Sequence, residues 1–147
     1  MQIIKEIQFD YGHCVTYHQS ACKNLHGHRA RVLITVEGDL VSVDGNEEFG
    51  MVMDFSRIKA LAMKHVHAKL DHSFIIWAKD HRAKTIEEIS DNVVITDFVP
   101  TAENLAKWIF DTLSEKITDE FNTGLKLVEI QFFETPTSCA IYHLNKR

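Results

Sequence analysis

The chain has 147 residues, 45% of them hydrophobic and 25% charged. This is the composition of one soluble globular domain spanning 1–147 and excludes a disordered or fibrous protein. Sixteen Lys+Arg against 21 Asp+Glu leave a net charge of −5, which argues against a partner held by phosphate neutralisation along nucleic acid, although a few local cations would suffice for a small anion. No apolar run approaches the ~18 residues of a membrane span, and Met1–Phe9 lacks the basic-then-apolar pattern of a signal peptide. Three cysteines without framework spacing point to free thiols in a reducing, cytoplasmic setting. The outlier is histidine, at nine residues.

In chain order, Ile7, Phe9, Tyr11 and His13 alternate with polar residues or glycine, the period of a half-buried strand. After a polar loop from about Thr16 to Asn24, a second strand carries His28, Ala30, Val32, Ile34 and Val36 inward and Arg29, Arg31, Thr35 and Glu37 outward. The two are expected to pair antiparallel. Asp44-Gly45-Asn46 marks a turn. Asp54 or Ser56 can then cap a helix with Ile58, Leu61, Ala62 and His65 on one face. Leu70–Ser90 is irregular and charged, which predicts loop or short helix, and Val93–Phe98 can form a short strand. Pro100–Glu103 starts a second long helix whose buried stripe is Leu105, Trp108, Ile109 and Leu113. Val128, Ile130, Phe132 and Glu134 then alternate with Glu129, Gln131 and Phe133, and a turn at Thr135-Pro136-Thr137 leads to a last strand, Cys139–Leu144. The order β-β-α-α-β-β predicts an α+β fold with a four-stranded antiparallel sheet and two helices on one face.

The chemistry centres on His26-Gly27-His28. Residues two apart on a strand share a face, and His13 ends the inward face of the partner strand, so His13, His26 and His28 can converge on one Zn²⁺ with an open fourth position; an accidental His-x-His stands against this. Gly27 suits close approach of a ligand or a neighbouring strand. His65-Val66-His67 cannot share an ion, because residues two apart on a helix diverge by about 200°. Cys22 reads either as a thiolate base with a lowered pKa or as a fourth zinc ligand closing a structural site. Cys14 and Cys139 read as packed thiols, and His18, His81 and His143 as surface residues. Asp71-His72 can work as an oriented proton carrier, yet neighbours point apart in regular structure unless a turn holds them, and a surface pair is the alternative. Glu134 sits at the inward end of its strand, where a carboxylate requires a partner, such as the amino-N–H edge of a heterocycle; if the strand has ended, Glu134 lies in water.

Six pieces occur in order: Phe9-x-x-x-His13, Cys22-x-x-x-His26-Gly27-His28, Gly50-Met51-Val52-Met53-Asp54-Phe55, Leu70-Asp71-His72, Pro100-Thr101-Ala102-Glu103-Asn104-Leu105 and Glu134. Together they resemble the 6-pyruvoyl-tetrahydropterin synthase superfamily. The three residues between Cys22 and His26 resemble its 6-carboxy-tetrahydropterin synthase branch, of the queuosine (7-deazaguanine) pathway. The resemblance implies the tunnelling fold (T-fold), with trimers closing a twelve-stranded barrel and stacking into homo-hexamers, and with sites between subunits. It implies a zinc-dependent lyase that converts 7,8-dihydroneopterin triphosphate to 6-carboxy-tetrahydropterin. In it His13, His26 and His28 hold Zn²⁺, Cys22 is the base, and His72, oriented by Asp71, exchanges protons on the other face of the substrate. Glu134 anchors the pterin edge with help from Thr101. Triphosphate elimination alone is the rival activity, and a non-catalytic zinc- or pterin-binding module is the rival class. Lys23, Arg29 and Arg31 read as triphosphate contacts or as solvated strand charges. The apolar run Ser73–Trp77 and the segment Lys79–Asp91 depart from the family's pattern.

Overall fold

A computed structural model of the chain describes residues 1–121 and 124–144. Strands β1 (Gln2–His13) and β2 (His26–Glu37) pair antiparallel over their whole length, from Gln2 opposite Glu37 to His13 opposite His26. The alternation read from the sequence is the cause. Ile7, Phe9 and Tyr11 face inward beside Ala30, Val32 and Ile34, and a register slip by one residue would turn both apolar sets into water.

The expected four antiparallel strands are present and adjacent, as β1, β2, β5 (Lys126–Thr135) and β6 (Ser138–His143), but the sheet has six strands, in the order β4-β3-β1-β2-β5-β6. The two extra strands, β3 (Ser73–Trp77) and β4 (Val93–Thr96), extend the β1 edge in parallel. Leu70–Ser90 is therefore not mainly loop. Ile75 and Ile76 are both fully buried, so β3 shows no alternation, as is usual for a parallel strand covered on two sides.

Helix α1 (Phe55–Ala62) starts on Asp54, whose carboxylate accepts from the Ser56 N–H at 2.6 Å; such a cap is worth about 1 kcal/mol. It runs on through a π-helical turn, Met63–His67, and a last turn, Ala68–Leu70. The wide turn moves Val66, rather than the expected His65, to the core, so Ile58, Ala62, Val66 and Leu70 form the buried row. Helix α2 (Ala83–Ile89) buries only Ala83 and Ile86, too few for a periodic signal. Helix α3 (Ala102–Phe121) buries the expected Leu105, Ile109 and Leu113, together with Ala106, Phe110, Ile117 and Phe121. Thus three helices accompany the sheet where two were expected. A further departure lies in β5: the β2–β5 register shifts between Thr35 and Val36, Val128 is the extra residue, and Leu127 takes the core place expected for Val128.

Candidate active site

The β1–β2 register brings His13 directly opposite His26, with His28 two residues further along the same face. One nitrogen from each of the three rings lies within 4.8 Å of the others. Gly27 permits this: a Cβ there would stand 2.7 Å from the Tyr11 carbonyl oxygen, so the close approach is to the neighbouring strand. His13, only 1% exposed, places its Nδ1 2.7 Å from the Pro100 carbonyl, and His26 places its Nδ1 2.8 Å from the Asn24 carbonyl. Carbonyls only accept, so both Nδ1 atoms carry the proton and both Nε2 atoms present lone pairs. Those two Nε2 atoms are 3.0 Å apart. Two lone pairs at that distance repel unless they share a cation, and tetrahedral Zn²⁺ with bonds of ~2.05 Å sets its nitrogens about 3.3 Å apart. His28 Nε2 is buried without a hydrogen-bond partner, an orphaned acceptor of the kind a metal satisfies. Burial holds the imidazoles of His13 and His28 below their ordinary pKa, in the neutral form that ligation requires. The three residues fit a zinc ion.

Cys22 stands outside this cluster, so the closed four-ligand site has no geometric support. It lies on a 3₁₀ turn, Ala21–Lys23, in the loop joining the two histidine strands. It lines a cavity of about 320 Å³ together with His18, Thr101, Glu103 and Glu134, near the small end of ligand-pocket sizes. Thr101 begins α3, its hydroxyl accepting weakly from the Asn104 N–H at 3.3 Å. Glu134 does remain on β5 and faces inward: its Oε1 is 3.5 Å from His13 Nε2 and 3.8 Å from His28 Nε2, and it accepts from the Tyr11 hydroxyl at 3.4 Å. Glu134 therefore forms a wall common to the cavity and the histidine cluster.

Asp71 and His72 are brought together, since His72 adopts a left-handed backbone (φ 55°) that turns its ring toward Asp71, Nδ1 to Oδ2 2.8 Å. The pair is tied to β1 twice, by the Asp10 N–H to Asp71 Oδ1 (3.0 Å) and by the His72 N–H to the Asp10 carbonyl (2.7 Å). Burial alone would raise the Asp71 carboxyl, but the Asp10 N–H and the His72 ring outweigh it and hold it below the ordinary carboxylate value. His72 is not part of the three-nitrogen group of its own chain. Its side chain is 78% exposed, in a shallow groove lined also by Asp10, Gly12, Arg29 and the His26-Gly27-His28 segment.

The family profile described as 6-pyruvoyl tetrahydropterin synthase matches residues 2–145. The chain belongs to that family. Within it, a 6-carboxy-5,6,7,8-tetrahydropterin synthase from Haemophilus influenzae is 32% identical, the match covering 96% of this chain and 97% of the relative. The protein of the same name from Aquifex aeolicus is 33% identical, covering 96% of both. Among solved structures, an uncharacterized protein from Wolinella succinogenes superposes with a TM-score of 0.81 at 26% identity, covering 99% of this chain and 98% of that one. The α+β fold described above is thus that of the 6-pyruvoyl tetrahydropterin synthase family.

Tyr11 is a site residue that the sequence reading passed over. Burial first, then the Glu134 carboxylate, push its phenol well above the ordinary range, so it stays a neutral donor to Glu134. Its place two residues before His13 on the same face was the available signal. Arg29 is committed to Asp10 by two bonds of 2.8 Å. Arg31 lies 4.2 Å over the Phe133 ring, and Lys23 is exposed. His18, His81 and His143 are exposed as expected. Cys14 is packed, but Cys139, expected to be, is exposed on β6. His65 faces Glu120 (3.6 Å) and His67 faces Asp71 (3.9 Å), so the two diverge.

Proposed function

We propose that this chain is a zinc-dependent lyase acting on 7,8-dihydroneopterin triphosphate. It yields 6-carboxy-5,6,7,8-tetrahydropterin with uptake of water and release of acetaldehyde and triphosphate, within 7-deazaguanine (queuosine) biosynthesis. The observation that supports this reading is the position of Glu134, which lines the cavity beside Cys22 and Thr101 and whose Oε1 lies 3.5 Å from His13 Nε2 and 3.8 Å from His28 Nε2. Relatives covering almost the whole chain carry the name of that synthase, which supports the same choice.

In this reading His13, His26 and His28 hold Zn²⁺, which when bound supplies Lewis acidity that makes hydroxyl and adjacent C–H protons easier to remove. Glu134, kept in place by Tyr11, accepts from the amino and ring N–H edge of the pterin, and Thr101 adds a contact at the start of α3. Cys22 takes a proton as thiolate on one face of the bound side chain. His72, with its Nδ1–H held by Asp71, gives and takes a proton through Nε2 on the other face. In this reading the Asp71-His72 pair, its imidazole mostly exposed and outside the three-histidine group of its own chain, serves the cavity of a neighbouring copy. That arrangement calls for a closed assembly of single-domain subunits, in the family's manner a homo-hexamer working in the cytoplasm.

The test is to incubate the metal-loaded protein with dihydroneopterin triphosphate and analyse the products by mass. Acetaldehyde with 6-carboxy-tetrahydropterin is expected. Triphosphate release without acetaldehyde would make the protein a pyruvoyl synthase, and binding without turnover would make it a pterin-binding module. Cys22→Ala is expected to retain the metal while turnover falls roughly 10²–10⁴-fold, the worth of a positioned proton acceptor; metal loss with the thiol would return Cys22 to the role of ligand.

A further inference from the structure

Away from the cluster, the chain carries a carboxylate that the reaction above does not use. The Asp80 side chain is fully buried, in the turn between β3 and α2. An isolated charge there would be costly, and it is matched from several sides. Arg82 forks onto it, Nε to Oδ1 2.9 Å and Nη2 to Oδ2 2.8 Å, and the Arg82 backbone N–H donates to Oδ1 at 2.9 Å. The Thr16 hydroxyl donates to Oδ2 at 2.7 Å, and the buried Cys14 thiol stands 4.0 Å from the same oxygen. Arg82 also reaches outward, its Nη1 donating to the Lys23 carbonyl at 2.6 Å. Thr16 and Lys23 both belong to the segment between His13 and His26, the segment that carries Cys22. The same segment is closed on itself by the Val15 N–H to the Cys22 carbonyl, 2.8 Å, and rests on the same support through Tyr17, whose ring meets Trp77 edge-on at 5.9 Å.

We infer that Asp80 and Arg82 are positioning residues for Cys22: the pair grips the two ends of its loop, at Thr16 and at Lys23, and so fixes where the thiol stands in the cavity. The inference rests on the proposed role of Cys22, but the grip itself does not. Among the described residues no other side chain holds the loop at both ends, and Lys23 is the residue next to the thiol. Charge neutralisation of Asp80 alone would need neither the Thr16 hydroxyl nor the Lys23 carbonyl. Arg82 suits the task because a planar guanidinium can hold a carboxylate with one edge and a carbonyl with another, which a lysine ammonium cannot do with the same geometry.

The test uses the metal-loaded full chain with Arg82→Gln, Arg82→Lys and Thr16→Val. Arg82→Gln is expected to lower kcat roughly 10–100-fold, as displacement of a reacting group by about 1 Å does, with KM and metal content unchanged. Arg82→Lys should recover part of the loss, and Thr16→Val should show a smaller fall of the same kind. Alkylation by iodoacetamide, read by peptide mass, should proceed at Cys22 about threefold faster or more in Arg82→Gln, relative to free glutathione in the same mixture, because the loop opens locally. A variant that melts earlier yet keeps the wild-type kcat and the wild-type ratio of Cys22 to glutathione alkylation overturns the inference. If Arg82→Gln does not fold, the same two readouts on Thr16→Val decide. If the wild type lacks turnover altogether, the proposed function falls, and the alkylation ratio still decides the grip: a raised ratio supports it, and an unchanged or lowered one overturns it.

Discussion

At the scale of single residues, the site is a set of polar groups gathered around Glu134, 3.4–3.8 Å from its carboxylate, and each side chain can be removed with a distinct expected result. Glu134→Gln keeps the volume and loses the charge that meets the pterin edge. Its KM for pterin substrate should rise roughly tenfold or more, the worth of a charge-assisted hydrogen bond, while bound metal stays at one ion per chain because the three imidazoles remain. Equal substrate affinity in the two proteins would remove Glu134 as the anchor. Gly27→Ala acts through the backbone. A Cβ would meet the Tyr11 carbonyl oxygen at 2.7 Å, so β1 and β2 must separate where they carry the ligands. We expect a loss of about 1–3 kcal/mol in denaturant unfolding, typical of overpacking, together with weaker metal retention; unaltered stability would mean that the strands part at no cost. The histidines were legible because a period of two leaves no choice of face. Tyr11 was not, since an aromatic residue two positions from a core phenylalanine looks like more core until its hydroxyl is seen to meet Glu134.

Elements with a clean period matched expectation, and those that merge two environments did not. β1 and α3 each keep one buried face, and their residues announce it; β2 does so except at Thr35, expected on the outward face and found buried. β3 is buried on both faces and α2 buries two side chains, so neither leaves a repeat to count. The bulge at Val128 and the wide turn in α1 each add a residue to a regular element; nothing in Leu127-Val128 or in Met63–His67 says beforehand which neighbour will give way. These unannounced pieces also hold the least expected charge, Asp80. Its carboxyl is held far below the ordinary value, above all by the Arg82 guanidinium, with burial working the other way. A lowered folded-state pKa means that ionised Asp80 adds stability at neutral pH and down to the unfolded-chain value near ~3.9. The contribution is lost as pH falls from there through the folded value. The difference in unfolding free energy between the wild type and Asp80→Asn should therefore be constant from about pH 7 to 5 and shrink below about pH 4. A difference that persists undiminished at acid pH would assign the effect to packing instead.

For the whole molecule, the sheet ends on β4 and β6, each with one side unpaired among the described residues. Such edges are a hazard that closure into a barrel abolishes, and Ile141 on β6 and Ile95 on β4 are both exposed. Sedimentation of the metal-loaded protein at micromolar concentration should thus show a species several times the 16.9 kDa of one chain. A stable monomer would leave the Asp71-His72 pair with no cavity to serve. Among the described residues no helix is long and apolar enough to cross a membrane.

The left-handed turn at His72 has a consequence for how such copies would meet. A non-glycine residue in that region costs on the order of 1–2 kcal/mol, and here the cost is met by bonds to Asp10, to Asp71 and from the Asn92 amide (3.0 Å). The imidazole is therefore aimed by main chain already committed to the sheet, although solvent surrounds most of the ring. An approaching subunit finds a proton carrier whose orientational freedom was surrendered when its own chain folded, so docking need not pay to order it.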